Sequence, residues 1–283
     1  MHRLFAGLAL SFAALLNLAA PSKDAPAPKG TLVIVGGGGF PADVEAVFLR
    51  ASGGPGGTVG IIPTSTSDPD GALKEWKEDL EKAGLHFVAL DVRQREDAEN
   101  PQFLAAAARC TGFWFSGGDQ NRVGDKIVGT PLQALVLNRY RAGACIGGTS
   151  AGAAIMSKVM LTGDDRNGKE ALSEFGVGAY QTREGMGFLP ANVVVDQHFL
   201  RRGRENRLFS LLMEHPTFLG LGIDEATALV VKEGKATVLG QRSVMVFDGS
   251  GLSQQGGGFQ NLRIHLLKAG QSIDLESRKV YQP

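Results

Sequence analysis

The chain is poor in cysteine, poor in histidine and without net charge, and each shortage removes a class of reading. Two cysteines, Cys110 and Cys145, are too few for a disulfide framework or a zinc pattern. Each lies at or beside an apolar run, so both are expected to be buried thiols; a single disulfide would require those runs to be neighbouring strands of an exported protein. No H-x-x-x-H or clustered Cys/His spacing occurs, so neither a metal nor another cofactor is expected. The 29 basic residues are matched by 29 acidic ones, which gives no reason to expect nucleic acid or an anionic membrane surface as a partner. Internal repeats and low-complexity segments are absent too.

Charge is missing altogether from residues 4–21, which follow His2 and Arg3 and give way to the polar, proline-rich SKDAPAPKG. The stretch falls a little short of the ~20 apolar residues a membrane span needs, and it contains Asn17. It reads as a signal peptide over residues 1–20, followed by a linker at 21–29. No cysteine lies near it to carry a lipid anchor. The expected destination is the periplasm or the medium, with no membrane insertion after processing. Residues 30–283 fit one domain by length and can bury a large core without staples.

What that domain does contain is an alternation of short apolar runs and helical segments. Residues 31–35 (TLVIV), 59–62, 86–91 and 112–115 read as strands, and residues 41–52, 70–83, 102–109 and 132–142 as helices. Asn100 and Pro101 are placed as N-cap and first helical residue of the third helix. Continuous apolar runs signal strands buried on both faces. The expected class is therefore α/β, with a mostly parallel central sheet, helices on both faces, and antiparallel strands from residue 219 onward closing the C-terminal edge.

Ligands gather at the carboxyl ends of such strands, where the polar and glycine-rich segments fall: residues 36–39, 64–67, 117–120 and Ser150. From Gly37 the first segment fits a loose dinucleotide pattern, G-x-G-x-x-A. The next strand, however, ends in Pro63-Thr64-Ser65 with no acid for a ribose, so that reading is set aside. Residues 161–187, rich in Gly, Asp and Glu without period, read as a long loop over the site.

Residues 142–158, AGACIGGTSAGAAIMSK, organise the rest. An apolar run ends in glycines, Ser150 follows, and a small-residue helix is expected from Ala151. Gly148-Thr149-Ser150-Ala151-Gly152 fits G-x-S-x-G, the pattern of a nucleophile elbow. A serine on so sharp a turn needs flanks nearly free of side chains. The helix behind it would aim free N–H groups and its positive dipole end at whatever the serine attacks. An ordinary Gly/Ser turn is the plain alternative, and the strand-before, helix-after context favours the elbow.

A serine hydroxyl is a weak nucleophile unless a neighbour takes its proton. Of five histidines, His2 lies in the export segment, His86 opens a strand at its amino end, His215 precedes Pro216 at a helix terminus, and His265 sits in a late edge strand. His198 alone follows a buried strand's carboxyl end, after Asp196-Gln197, and is the base candidate. Its orienting acid is Asp224 or Glu225, which stand after the apolar run 219–223; a solvated acidic pair in a turn competes with either role. Backbone N–H groups of Ala151 and of Gly117-Gly118 would be the oxyanion donors. The run FLRRGRENR puts Arg201, Arg202, Arg204 and Arg207 on what reads as the next helix. Guanidinium groups beside a base offer bidentate docking for carboxylates, although a solvated basic helix face is the default for such a run.

FSGGDQ (residues 115–120), GGTSAGA (147–153), DQHF (196–199) with the arginines after it, and GIDE (222–225), in this order, resemble the cyanophycinases of the S51 serine peptidases. The resemblance spans residues 30–231. It implies a class I glutamine-amidotransferase-like three-layer sandwich, a homodimer, and hydrolysis of cyanophycin, a polyaspartate bearing arginine on each β-carboxyl, to β-aspartyl-arginine. It further implies Ser150 as nucleophile, His198 as base and Glu225 as third member, with Gln120, Asp196, Gln197, Arg202, Arg204 and Arg207 binding substrate. An α-aspartyl or isoaspartyl dipeptidase of the same family, and a binding protein of the same fold without activity, are the alternatives. The export segment departs from the setting of an intracellular store and suggests a scavenger of polymer released by other cells.

Overall fold

The computed structural model describes residues 27–165 and 175–283. The expected signal peptide and most of the linker lie outside the described residues. Five parallel strands, β1 (Thr31–Val35), β2 (Thr58–Ile62), β3 (His86–Ala89), β4 (Gly112–Phe115) and β5 (Cys145–Thr149), stand in the order 1-5-4-2-3. Helices α1 (Ala42–Ala51), α2 (Pro69–Lys82), α3 (Pro101–Ala108), α4 (Asn121–Lys126) and α5 (Pro131–Ala142) connect them. The helix starts follow local chemistry: Asp68, Asn100 and Thr130 each accept an N-terminal N–H, and each is followed by a proline at N1. α4 has no apolar period and was not foreseen from the sequence.

Beyond the one-turn helix α6 (Ala151–Ala154) the chain forms a ribbon of β6 (Val159–Asp165) and β7 (Tyr180–Glu184), then β8 (Val193–Gln197), helix α7 (Glu205–Glu214) and β9 (Leu219–Ile223). The strands that follow are β10 (Thr227–Lys232), β11 (Lys235–Gly240), β12 (Ser243–Asp248), β13 (Ser253–Gln255), β14 (Gly258–Gln260), β15 (Arg263–Lys268), β16 (Ser272–Asp274) and β17 (Val280–Tyr281). β10, β11, β16 and β17 extend the parallel sheet from its β1 edge by antiparallel pairing, as expected.

Of the other strands, β13 and β14 pair as a ribbon, and four make a second sheet, in the order 15-12-9-8, with β8 and β9 parallel. Strand periodicity identifies a strand but not the sheet it joins, and only the folded chain separates the two. The inner face of this second sheet, including Val193, Val195, Leu221, Ile223 and Val246, shares a core with Leu32, Ile34, Phe113 and Ile146 of the first. The other face of the first sheet, Val33, Val35, Val59 and Ile61, packs on Phe48 of α1 and Leu80 of α2. On the outer face of the second sheet, Val194 and Phe247 meet Leu208, Leu211 and Leu212 of α7. The sandwich thus has helices on both faces, with part of one face given to the second sheet. α6 touches β1, β4 and β5 on one side and β8 on the other, so it is wedged where the sheets meet.

Three local expectations need correcting. The stretch 161–187 is not loop throughout: hydrogen bonding between β6 and β7, which no side-chain pattern signals, makes a ribbon of its two flanks. The arginines at 201–207 do not share one helix, because a turn at Leu200–Arg202 ends at Gly203, in left-handed conformation, before α7 starts. α6 has only four residues, so it supplies unpaired N–H groups but too few aligned peptides for the expected macrodipole. Cys110 and Cys145 are free and buried, and burial pushes each thiol up to about 12.

Candidate active site

Ser150 sits between β5 and α6 with φ 53° and ψ −110°, a conformation that costs roughly 1–3 kcal/mol for a residue with a side chain. The elbow closes because its glycines touch. A Cβ on Gly148 would lie 2.4 Å from the Gly152 carbonyl oxygen, and one on Gly152 would lie 2.2 Å from that of Phe115. The Ser150 N–H is tied to Val35 O at the end of β1 (3.0 Å).

Ser150 Oγ–H donates to His198 Nε2 at 2.8 Å, and His198 Nδ1–H donates to Glu225 Oε1 at 2.7 Å. The carboxylate, which can only accept, fixes the proton on Nδ1 and leaves Nε2 free to take the serine's. His198 follows β8 and Glu225 follows β9, strands paired side by side in the second sheet, whereas Ser150 follows β5 in the first. Asp224 faces away: its Oδ1 accepts the Arg201 N–H at 2.9 Å, and its Oδ2 lies 3.7 Å from Arg242. Burial holds His198 below the ordinary histidine range, with Arg202 and Arg204 adding to the effect and Glu225 opposing it. The bond from His198, chiefly, holds Glu225 below the usual carboxylate range.

Residues 36–38, set aside above as a nucleotide loop, hold these groups in register. Gly36 O accepts the His198 N–H (2.8 Å), Gly37 O accepts the Ala226 N–H (2.7 Å), and the Gly36 N–H donates to Thr227 O (2.9 Å). A Cβ on Gly37 would lie 2.3 Å from the His198 ring, and one on Gly38 would lie 2.5 Å from the Glu225 side chain. The glycine run itself was visible in the sequence; that it seats two side chains from another sheet was not. Of six non-glycine residues with positive φ among those described, three are Ser150, His198 and Ala226, so backbone strain gathers here.

One cleft of about 280 Å³ opens from Ser150 past Gly118, Gln120, Gln197, Arg202, Arg204 and Arg207, with Thr162 and Gly163 of the ribbon along its wall. Gln120 Nε2 donates to Leu161 O (3.0 Å) and Thr162 O (2.5 Å), so the group it can offer a ligand is its amide oxygen. Arg204 Nη1 donates to Gln197 O (2.8 Å) and Gln197 Oε1 (2.9 Å). Burial, with Arg207 and Arg202 adding to it against Asp196, pulls the Arg204 guanidinium down to about 10. Asp196 lies beneath this wall: Arg207 Nε is 3.0 Å from its Oδ2, but the N–H does not point along that line, and both atoms keep unfilled hydrogen-bonding capacity. Ala151 opens α6 directly behind the serine, and a Cβ on Gly117 would lie 3.5 Å from that of Ser150.

A buried imidazole that joins a strained serine to a carboxylate, on a parallel α/β sheet, defines a serine-type hydrolase site. Comparison with known proteins gives the family. The pattern of peptidase family S51 matches residues 32–239. The chain is 34% identical over 267 residues to the cyanophycinase of Synechococcus elongatus, covering 89% of this chain and 81% of that one. It is 33% identical over 250 residues to the cyanophycinase of Geminocystis herdmanii, covering 83% and 88%. A crystal structure of a peptidase from an acI-B1 actinobacterium superposes with a TM-score of 0.67 at 25% identity, covering 87% of this chain and 97% of the other. The chain belongs to peptidase family S51, the serine-type peptidases.

Proposed function

We propose that this peptidase hydrolyses cyanophycin to β-aspartyl-arginine. The observation that carries the reading is the hydrogen-bonded series Ser150–His198–Glu225 opening directly on a cleft walled by Arg202, Arg204 and Arg207. Ser150 Oγ attacks the scissile aspartyl carbonyl while its proton passes to His198 Nε2, and Glu225 steadies the resulting imidazolium. The oxyanion is met by the backbone N–H groups of Ala151 and Gly118. The imidazolium then protonates the departing amine, leaving an acyl-enzyme that water cleaves by the same route reversed.

In the cleft, the arginines take carboxylates of the substrate, Gln120 accepts from a donor on it, Gln197 borders the bound ligand while holding Arg204, and Asp196, buried beneath the wall rather than facing the ligand, holds Arg207 in position. The arginine-rich wall and the cyanophycinase relatives support this substrate, because each polymer unit presents a free arginine carboxylate. Residues 1–20 make the protein an exported scavenger in this reading, and the functional unit is a homodimer. Fractionation of cells and light scattering of the purified protein test those two points.

The decisive experiment incubates the mature protein with insoluble cyanophycin and follows soluble products by mass spectrometry, beside Ser150→Ala. Release of β-aspartyl-arginine by the wild type alone is the expected result. Cleavage of short isoaspartyl or α-aspartyl peptides without release from the polymer would replace this substrate by that of a dipeptidase.

A further inference from the structure

Ser150 borders a second, larger cleft of about 510 Å³, which shares no other wall residue with the arginine-lined one. Its chemistry is the reverse. Phe40, Trp76 and Trp114 form an aromatic cluster, with ring centroids 4.8 Å apart for the two tryptophans and 4.7 Å apart for Phe40 and Trp114. Trp114 is buried as the floor, while Phe40 and Trp76 are half-exposed. Around them stand Glu45 of α1 and Glu75 and Asp79 of α2, and no basic residue lines the space. Asp79 pairs with Lys82 at 3.2 Å, but neither Glu45 nor Glu75 makes an ion pair among the described residues.

A peptide held at Ser150 has chain on both sides of its scissile bond. If its carboxylates lie among Arg202, Arg204 and Arg207, the other side continues toward the aromatic and acidic walls. A cation is the complementary group there, because a tryptophan face attracts positive charge and a carboxylate pairs with the planar fork of a guanidinium. The first cleft would repel the same group. We propose that the Trp76/Trp114/Glu75 cleft is a subsite for a guanidinium side chain on the substrate unit across the scissile bond from the arginine-bound carboxylate. As a subsite of cyanophycin cleavage it rests on the function proposed above; as a guanidinium-binding site it can be tested without it.

Trp76 and Trp114 are the only two tryptophans of the chain, so intrinsic fluorescence reports on this cleft. The test titrates the full-length mature protein with N-acetyl-arginine methylamide and, separately, with its neutral counterpart N-acetyl-citrulline methylamide. A saturable fluorescence change is expected with the arginine compound. Citrulline should bind about 5- to 30-fold more weakly, and the difference should shrink in the Glu45→Gln/Glu75→Gln double variant, whose exchanges keep side-chain size, leave the core untouched and keep the tryptophan faces in place. Equal responses to the two compounds, no saturable response to arginine, or a preference undiminished in the double variant would each overturn the subsite. A second arm compares kcat/KM for cyanophycin oligomers carrying arginine or citrulline on the unit across the scissile bond. Loss of turnover on both oligomers with the fluorescence preference intact would count against the cyanophycin reading and leave the site standing. Equal turnover of both would count against the subsite and leave the peptidase standing.

Discussion

The two sheets contribute to the site in different ways. In the first, Ser150 is held by its immediate neighbours in sequence: β5 delivers it, Gly148 and Gly152 let the turn close, and α6 begins on the next residue. In the second, His198 and Glu225 are 48 and 75 positions further along the chain from Ser150 and depend on partners more distant still in sequence. The backbones of His198 and of Ala226, next to Glu225, are pinned to Gly36 and Gly37 just after β1, and the His198 and Glu225 side chains fill the space that a Cβ on Gly37 or Gly38 would need. The hydroxyl is thus placed locally and the imidazole and carboxylate hydrogen-bonded to it in series are placed by tertiary structure. Damage to the local half should remove the chemistry outright, and damage to the long-range half should weaken it in steps.

The largest expected effect is at Ser150 itself. Ser150→Ala should lower kcat by about 10⁴- to 10⁶-fold, as for other triad nucleophiles, with substrate binding largely kept; retained turnover would remove the serine from its role. Glu225→Gln should cost about 10³- to 10⁴-fold in kcat, because an amide no longer dictates the His198 tautomer. Asp224→Asn, whose carboxylate faces Arg201 and Arg242, should do far less, and equal losses would mean that the acid has been misassigned.

Gly37→Ala is the sharper test of the comparison. The added methyl displaces the His198 ring rather than the serine, and a misplacement of about 1 Å costs on the order of 10²-fold. A folded variant with unchanged kcat would show that the glycine loop does not position the base.

Smaller effects should appear in the arginine wall and in the pH profile. Arg204→Ala should raise KM by about 10- to 150-fold, the worth of hydrogen bonds to a charged group, and a pure kcat effect would contradict a binding role. The proposed mechanism requires neutral His198, whose affinity for a proton is lowered by burial and by the Arg202 and Arg204 charges. The acid limb of kcat/KM should therefore lie below the ordinary histidine value of about 6.5. Arg204→Ala removes one of those charges and should move the limb upward, while Glu225→Gln removes a favourable partner and should move it down. Profiles measured across pH 4 to 8 check both directions.

The same division explains what could be read from the sequence. TLVIV, GFWF and the G-x-S-x-G turn are local signals, and they give the parallel sheet, its helices and Ser150 without any structure. His198 was reachable because few histidines compete and only one follows a buried strand. Asp224 and Glu225 could not be told apart by pattern, since adjacent residues after a strand point to different sides and only the folded chain, in which His198 meets Glu225 while Asp224 meets Arg201 and Arg242, separates them. The glycines at 36–38 looked like a phosphate loop because the steric demand is the same: backbone that lets another group come close. What approaches is an imidazole and a carboxylate from a different sheet, which no spacing rule records. The two-sheet division itself, and the pairing of β6 with β7, rest on long-range hydrogen bonds that leave no periodicity of their own.

Labelling of Ser150 by a serine-directed phosphonate, located by peptide mass spectrometry in the wild type and in His198→Ala, tests the central claim most directly. One adduct is predicted, on Ser150, forming at a rate that follows deprotonation of a group below pH 6.5 and falling by at least about 10²-fold without the imidazole. An adduct elsewhere, or equal labelling of the two proteins, would contradict the account.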